Sequence, residues 1–227
     1  MKDIVVYTAI TGSYDSLKPV SELWARDADF VAFADAAHGP GWTIRPIDIR
    51  HSDACRNARM LKILSHRCFP DAKYSVWVDG SIAIKSTVPI KDLICEYLAD
   101  HDIAVFKHRR RTCVYAEAMA CIEAGKDLPE VICRQMQEYW HEGYPRQNGL
   151  AETTSLVRRH SDAVVQFNNR WYDEVCKHSR RDQLSFNYVA TNLGLAYAHL
   201  DGTILNNPHF TWGRHEVATP ISPQASC

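Results

Sequence analysis

The chain has 227 residues, 46% hydrophobic and 23% charged, an ordinary globular composition with enough apolar material for one buried core. A formal net charge of −1 supplies no overall field to gather nucleic acid or an anionic membrane, so an anionic ligand must be held by local charges. Eight scattered cysteines, without a C-x-x-C pair or metal-ligand spacing, read as buried thiols of a reducing compartment.

The opening MKDIVVYTAITGSYD has a short apolar run, a charged Asp3 and no small-residue cleavage site, so it reads as structure and not as a signal peptide. Within it, residues 3–10 form a buried strand ending at Thr11-Gly12, a turn where backbone can approach a ligand closely. DFVAFAD (29–35) is a second strand ending in an acid, and WTIRPI (42–47) a third, at a sheet edge because Pro46 cannot donate to a ladder. Ser52 caps a helix running to Cys68, with Ala54, Ala58, Leu61, Leu64 and Cys68 on its apolar face and Arg56, Arg59 and Lys62 on the flank. KYSVWVD (73–79), SIAI (81–84), a helix near 89–99 and the strand DIAVFKH (102–108) follow.

The second half is helix-rich. Segments 114–125 and 128–142 are amphipathic, GLAETTSLVRR (149–159) is extended, and 161–178 carries Val164, Phe167, Trp171 and Val175 at helical spacing, a core stripe. A helix over 181–192, the strand GLAYAHL and an irregular end with prolines at 208, 220 and 223 complete the chain. No linker or repeat divides it, so residues 1–216 are read as one domain and 217–227 as an irregular tail. No uncharged apolar stretch reaches the ~18 residues of a membrane-spanning helix, and a cytoplasmic location is expected. Strands alternating with helices, then a helical half, predict an α/β layered domain with a mostly parallel sheet flanked by helices. Ligands of such sheets sit beyond the carboxyl ends of the strands, where Thr8, Thr11, Gly12, Asp35 and Asp79 fall.

Asp79-Gly80-Ser81 admits two readings. Asp-Gly between two extended runs is a hairpin signal. In extended backbone, however, residues two apart face one side, so Asp79 and Ser81 can also share a hard cation that completes its shell with substrate phosphates. Arg56 and Lys62 can balance a diphosphate through charge-assisted bonds, or simply face solvent. The run His108-Arg109-Arg110-Arg111 is a solvated strand end or a phosphate contact. Ser179-x-x-Asp182 has the form of a helix cap. Glu117, Glu152 and His108 are candidates for a general base.

The ordered series VVYTAITGSYD, FADAAHGPGWTI, RNARMLK, YSVWVDGSI, FKHRRRTCVYAEA, GLAETTSLVRRH and SRRDQLSFNYV resembles the glycosyltransferase-like family of mucilage- and pectin-related proteins, some plant members of which carry an alkaline-ceramidase name. The likeness spans residues 4–215. It implies a GT-A fold, a Rossmann-like nucleotide-sugar-binding sheet with a metal-binding D-x-D motif. Asp79-Gly80-Ser81 occupies that motif's position, with a neutral serine where the second acid belongs, which weakens the expected Mn²⁺ or Mg²⁺ site. His215, or His209, stands where such enzymes add a histidine ligand. Thr8, Ala9, Thr11 and Gly12, with Asp35 beside them, resemble the nucleotide-binding opening, and Asp182 and Gln183 the helix start facing the donor sugar.

The expected activity is metal-assisted transfer of a sugar from a nucleotide-sugar donor, a UDP-sugar, to a saccharide or glycoconjugate hydroxyl. Two alternatives stay open. One is a non-catalytic nucleotide or carbohydrate binder on the same fold. The other is a ceramidase-type hydrolase, although neither a G-x-S-x-G elbow nor an H-E-x-x-H helix is present.

Overall fold

The computed structural model describes residues 1–11, 15–35 and 39–213. The first four apolar runs become β1 (Ile4–Ile10), β2 (Ala28–Ala34), β3 (Thr43–Arg45) and β4 (Tyr74–Val78), adjacent and parallel in the order β3-β2-β1-β4. β5 (Ile82–Ile84) leaves this sheet. β6 (Ile103–Lys107), β7 (Ala151–Arg159) and β8 (Ala198–Leu200) extend it in the order β4-β7-β6-β8, with β7 antiparallel to both neighbours and β8 parallel to β6. The result is the expected mostly parallel seven-stranded sheet, with β3 at its edge.

Alternating side chains of the buried strands feed two cores. Val5, Tyr7, Trp77 and Val105 pack on one face, beneath α2 (Ala54–Ile63), α5 (Val114–Glu123), α6 (Pro129–His141), α7 (Asp162–Lys177) and α8 (Gln183–Asn192). Ile4, Val6, Val76 and Phe106 pack on the other, beneath α1 (Glu22–Ala25) and α4 (Ile90–Tyr97). The stripe Val164, Phe167, Trp171 and Val175 of α7 is wholly buried, as its spacing predicts.

Several local expectations change. Asp53, not Ser52, caps α2, accepting from the Cys55 amide at 2.9 Å. The helix stops at Ile63 and α3 (Ser65–Cys68) begins separately. Its last carbonyls are taken by side chains from two strands: Tyr7 Oη donates to the Lys62 carbonyl at 2.7 Å, and the buried Arg158 donates to the carbonyls of Lys62 at 2.8 Å and Ile63 at 3.1 Å. Ser179 does not cap α8. Its hydroxyl donates to Asp127 at 2.7 Å, and Asp182 precedes the helix without a side-chain cap bond. The strand read over GLAYAHL is confined to Ala198–Leu200.

The Asp79-Gly80 bend is real, since the Ile82 amide donates to the Asp79 carbonyl at 2.8 Å, but it does not join a hairpin. β5 pairs instead with β9 (Phe210–Trp212), a strand inside the segment read as irregular, in a two-stranded antiparallel ribbon. Asp79 is not in the left-handed region either. Gly12, His215 and residues 217–227 lie outside the described residues.

Candidate active site

Because β7 runs against its neighbours, its first residues arrive at the rim where β1 and β4 end. The Asp79 amide donates to the Thr154 carbonyl at 2.9 Å, placing the Asp79 bend against the start of β7. A cavity of about 580 Å³ opens at this rim, within the size range of small-molecule sites. Its floor is Ala9, Ile10 and Thr11 from the end of β1, the bend Asp79-Gly80-Ser81, and Glu152 and Thr154. Gly80 is needed here for close approach: a Cβ would lie 3.1 Å from Asp15 Oδ2 and 3.3 Å from Ile10 Cγ1. Two carboxylates, Asp79 and Asp15, therefore flank one glycine.

One wall is cationic. Arg59 comes from α2, Arg109 follows β6, Lys126 lies between α5 and α6, and Arg180 and Arg181 precede α8. The lining also includes the apolar side chains of Ile204, Leu205 and Trp212.

Behind the cationic wall lies a closed ionic cluster. Asp182, 2% exposed, has Lys62 Nζ at 2.7 Å and the Thr153 hydroxyl at 2.8 Å on Oδ2, and Arg59 Nε at 2.9 Å from Oδ1, close but out of line for a hydrogen bond. Burial alone would raise the Asp182 pKa, but the charges of Arg59, Lys62 and Arg181 overcome it and hold the carboxyl well below the usual range. Lys62 also reaches Asp79 Oδ1 at 3.5 Å, on which Trp77 Nε1 donates at 2.7 Å. Asp79 is thus anchored through Oδ1 while it lines the cavity.

Glu152 is in the contrary state. Its Oε2 is buried without a hydrogen-bond partner, and burial raises its pKa, opposed by Arg109 and reinforced by Glu117 and Asp79. Nε of Arg181 is likewise buried and unpartnered.

Of the residues singled out from sequence, Ala9, Thr11, Asp79, Gly80, Ser81 and Glu152 line this one cavity. Thr8 is buried one position behind its floor, with an unpartnered hydroxyl. Asp35 is exposed at the end of β2 and is not among the lining residues. Four expectations are corrected. Asp182 is buried and not among the lining residues; it faces Arg59, Lys62 and Thr153 behind the cavity and not a donor sugar within it. Gln183 donates to the Ala151 carbonyl at 2.8 Å and holds α8 to β7. Arg56 does not face the cavity; it donates to the carbonyls of Val175 and His178, fastening α2 to the end of α7. His209 is a core residue between Ser86 Oγ, 3.0 Å away, and Tyr97 Oη, 3.4 Å away.

Glu117 is buried in an ion pair with Arg111, with His108 Nε2 at 3.6 Å, and does not line the cavity. Lys62 sits beneath the wall, not in it. Arg59 was noted only as a flank residue, and Arg109, Arg180 and Arg181 only as parts of basic or capping runs. Asp15 closes the motif VVYTAITGSYD without a role of its own there, and Lys126 and Trp212 carry no sequence signal. Among the described residues no three His, Cys, Asp or Glu side chains converge as a metal centre. The hard oxygen donors present are Asp79, Asp15 and Ser81, a set suited to Mg²⁺ or Mn²⁺ only when substrate phosphates complete the shell.

Residues 41–204 match the TOD1/MUCI70, glycosyltransferase-like domain family. The chain belongs to that family. Within it, the chain is 31% identical over 152 residues to the probable hexosyltransferase MUCI70 of Arabidopsis thaliana, covering 63% of this chain and 26% of that protein. It is 25% identical over 146 residues to the alkaline ceramidase TOD1 of the same plant, covering 60% of this chain and 32% of that protein. The chain therefore spans about a quarter to a third of these relatives' lengths. Its fold is shared with the crystal structure of a glycosyltransferase involved in the glycosylation of the major capsid of PBCV-1, at 11% identity and TM-score 0.50 over 92% of each chain. This TOD1/MUCI70 domain is thus a glycosyltransferase-like domain in family and in fold.

Proposed function

We propose that the domain transfers a sugar from a UDP-sugar to a hydroxyl of a saccharide or glycoconjugate. The observation that carries the reading is one cavity joining a wall of cations to a buried carboxylate with an open oxygen. Arg59, Arg180, Arg181 and Lys126 would hold the diphosphate and the charge that develops on it as the anomeric C–O bond breaks. Ala9 and Thr11 at the end of β1 would border the nucleoside, and Asp79 and Ser81 the donor sugar. Glu152 would take the proton of the acceptor hydroxyl as its oxygen bonds to the anomeric carbon. Its raised pKa suits it to that role, because it makes the carboxylate a stronger base than an exposed one. Asp182 acts from behind, holding Arg59 and Lys62 in place. Mg²⁺ or Mn²⁺, if bound, would be held by Asp79 with Asp15 and Ser81 and would add positive charge beside the diphosphate.

The serine at the second acidic position favours a second reading, a nucleotide or sugar binder without turnover. One experiment separates them. Binding of a panel of UDP-sugars is measured by calorimetry with Mn²⁺ on the wild type and on Asp79→Asn, and UDP release is followed from the same panel with and without Mn²⁺. We expect release, and UDP-sugar affinity about tenfold weaker in the variant, the size of a lost charge-assisted contact to a sugar hydroxyl or bridging cation. Binding without release from any donor would support the binder. Equal affinity in both proteins would remove Asp79 from the site. Fatty-acid release from ceramide without UDP binding would replace both readings with hydrolysis.

A further inference from the structure

We propose that Trp212, with Leu205 lining the same cavity, is the platform on which a pyranose ring of the acceptor saccharide stacks. The inference rests on the transferase reading and extends it to residues beyond the matched family segment 41–204. Trp212 and Leu205 are each 49% exposed, yet both line the same cavity as Asp79 and Glu152. Leaving an indole half in water forgoes much of the burial free energy that such a side chain supplies. Here the exposure is fixed by the backbone. The Ile82–Trp212 register and the Gly213 amide donating to the Ser81 carbonyl at 2.8 Å bind β9 to the strand that begins just after the Asp79 bend. Phe210, 1% exposed, seats the strand edge-on against Trp24 and Phe106.

Leu205 is fixed too. The Thr203 and Asn206 backbones exchange hydrogen bonds of 3.0 and 2.9 Å across its turn. Gly202, at φ +76°, is needed there, since a Cβ would lie 2.1 Å from the Asn206 carbonyl oxygen. A rigid, half-exposed aromatic face with an aliphatic chain lining the same cavity suits the C–H face of a sugar, whose weakly positive hydrogens meet the negative face of the ring. It suits an acceptor better than a nucleotide because Trp212 and Leu205 are half exposed, where a saccharide chain leaves the cavity for solvent, whereas the diphosphate is drawn to the arginines and Lys126.

The test uses the full chain, with Trp212→Ala, Trp212→Phe and Leu205→Ser. Binding of cellohexaose, xylohexaose, mannohexaose and galactotetraose is measured by saturation-transfer NMR in the presence of UDP, and UDP affinity separately by calorimetry. At least one oligosaccharide is expected to bind the wild type. Its affinity should fall about tenfold or more in Trp212→Ala, less in Trp212→Phe and Leu205→Ser, with UDP affinity within about twofold of wild type. Unchanged oligosaccharide binding in Trp212→Ala, a loss of UDP affinity equal to that of sugar, or no oligosaccharide binding to the wild type would each overturn the platform. If Trp212→Ala does not fold, unchanged binding in both Trp212→Phe and Leu205→Ser overturns it instead. Failure of the wild type to bind UDP would sink the transferase reading by itself, leaving the oligosaccharide result to decide the platform.

Discussion

Asp182 and Glu152 are two acids beside one cavity, and they are treated in opposite ways. Asp182 is surrounded by Arg59, Lys62 and Thr153, and its pKa is driven down. Glu152 keeps a buried oxygen with no partner, and its pKa is driven up. A satisfied buried carboxylate holds structure, and removing it strands the cations around it. An unsatisfied one costs stability and is retained where a ligand can complete its bonding. On the proposed transferase reading Asp182 belongs to the scaffold and Glu152 to the chemistry, and each assignment can be broken separately.

The largest effect should follow Glu152→Gln. We expect transfer at saturating substrate to slow by about 10²–10⁴-fold, the usual worth of a positioned base, and the acid limb of the kcat–pH profile to disappear. Stability should hold or rise. A carboxyl whose folded pKa is raised contributes stability only at low pH and loses it as pH rises through that value, so the amide removes a cost at neutral pH. A variant as destabilised as the next one would break the comparison.

Asp182→Asn should cost about 3–5 kcal/mol in urea unfolding at neutral pH, because Lys62 and Arg59 lose their buried counter-charge. A depressed folded pKa gives stability that is present above the unfolded value near ~3.9 and lost as pH falls below it. The smallest effect belongs to His160, whose ring lies 2.9 Å from Ser75 Oγ and whose pKa is lowered to about 4 by burial, with Arg158 and His66 adding to the shift. Between about pH 6.5 and that value the unfolded chain binds a proton the folded chain refuses, so stability falls as pH drops. Thermal midpoints across this window should fall less steeply in His160→Gln. Together these curves separate the His160 window from the Asp182 window below it.

Much of the frame was legible in sequence. The apolar runs of β1, β2, β4 and β6 and the stripe of α7 are strong local signals, and the Asp79 bend sits where an α/β sheet presents its ligands. What failed was decided by distant partners. Arg56, Arg59 and Lys62 share a helix flank, and only the arrival of Asp182 ahead of α8 and of the carbonyls of Val175 and His178 sorts them into different tasks. β9 is three residues long and exists because β5, far back in the chain, pairs with it. Ser52 and Asp53 are both good caps, so local chemistry could not choose. Glu117 and Glu152 were equal until Arg111 took one and left the other open.

The antiparallel course of β7 has one more consequence. Glu152 rides on a strand held between β4 and β6, beside the register shift at Val105/Phe106, and not on a pliable loop. In the role proposed for it, a base so mounted would move with the whole sheet and could not travel to meet a substrate. Acceptors should therefore be sorted by the angle at which they offer their hydroxyl, with neighbouring hydroxyls of one sugar ring discriminated more sharply than different sugars offering the same one.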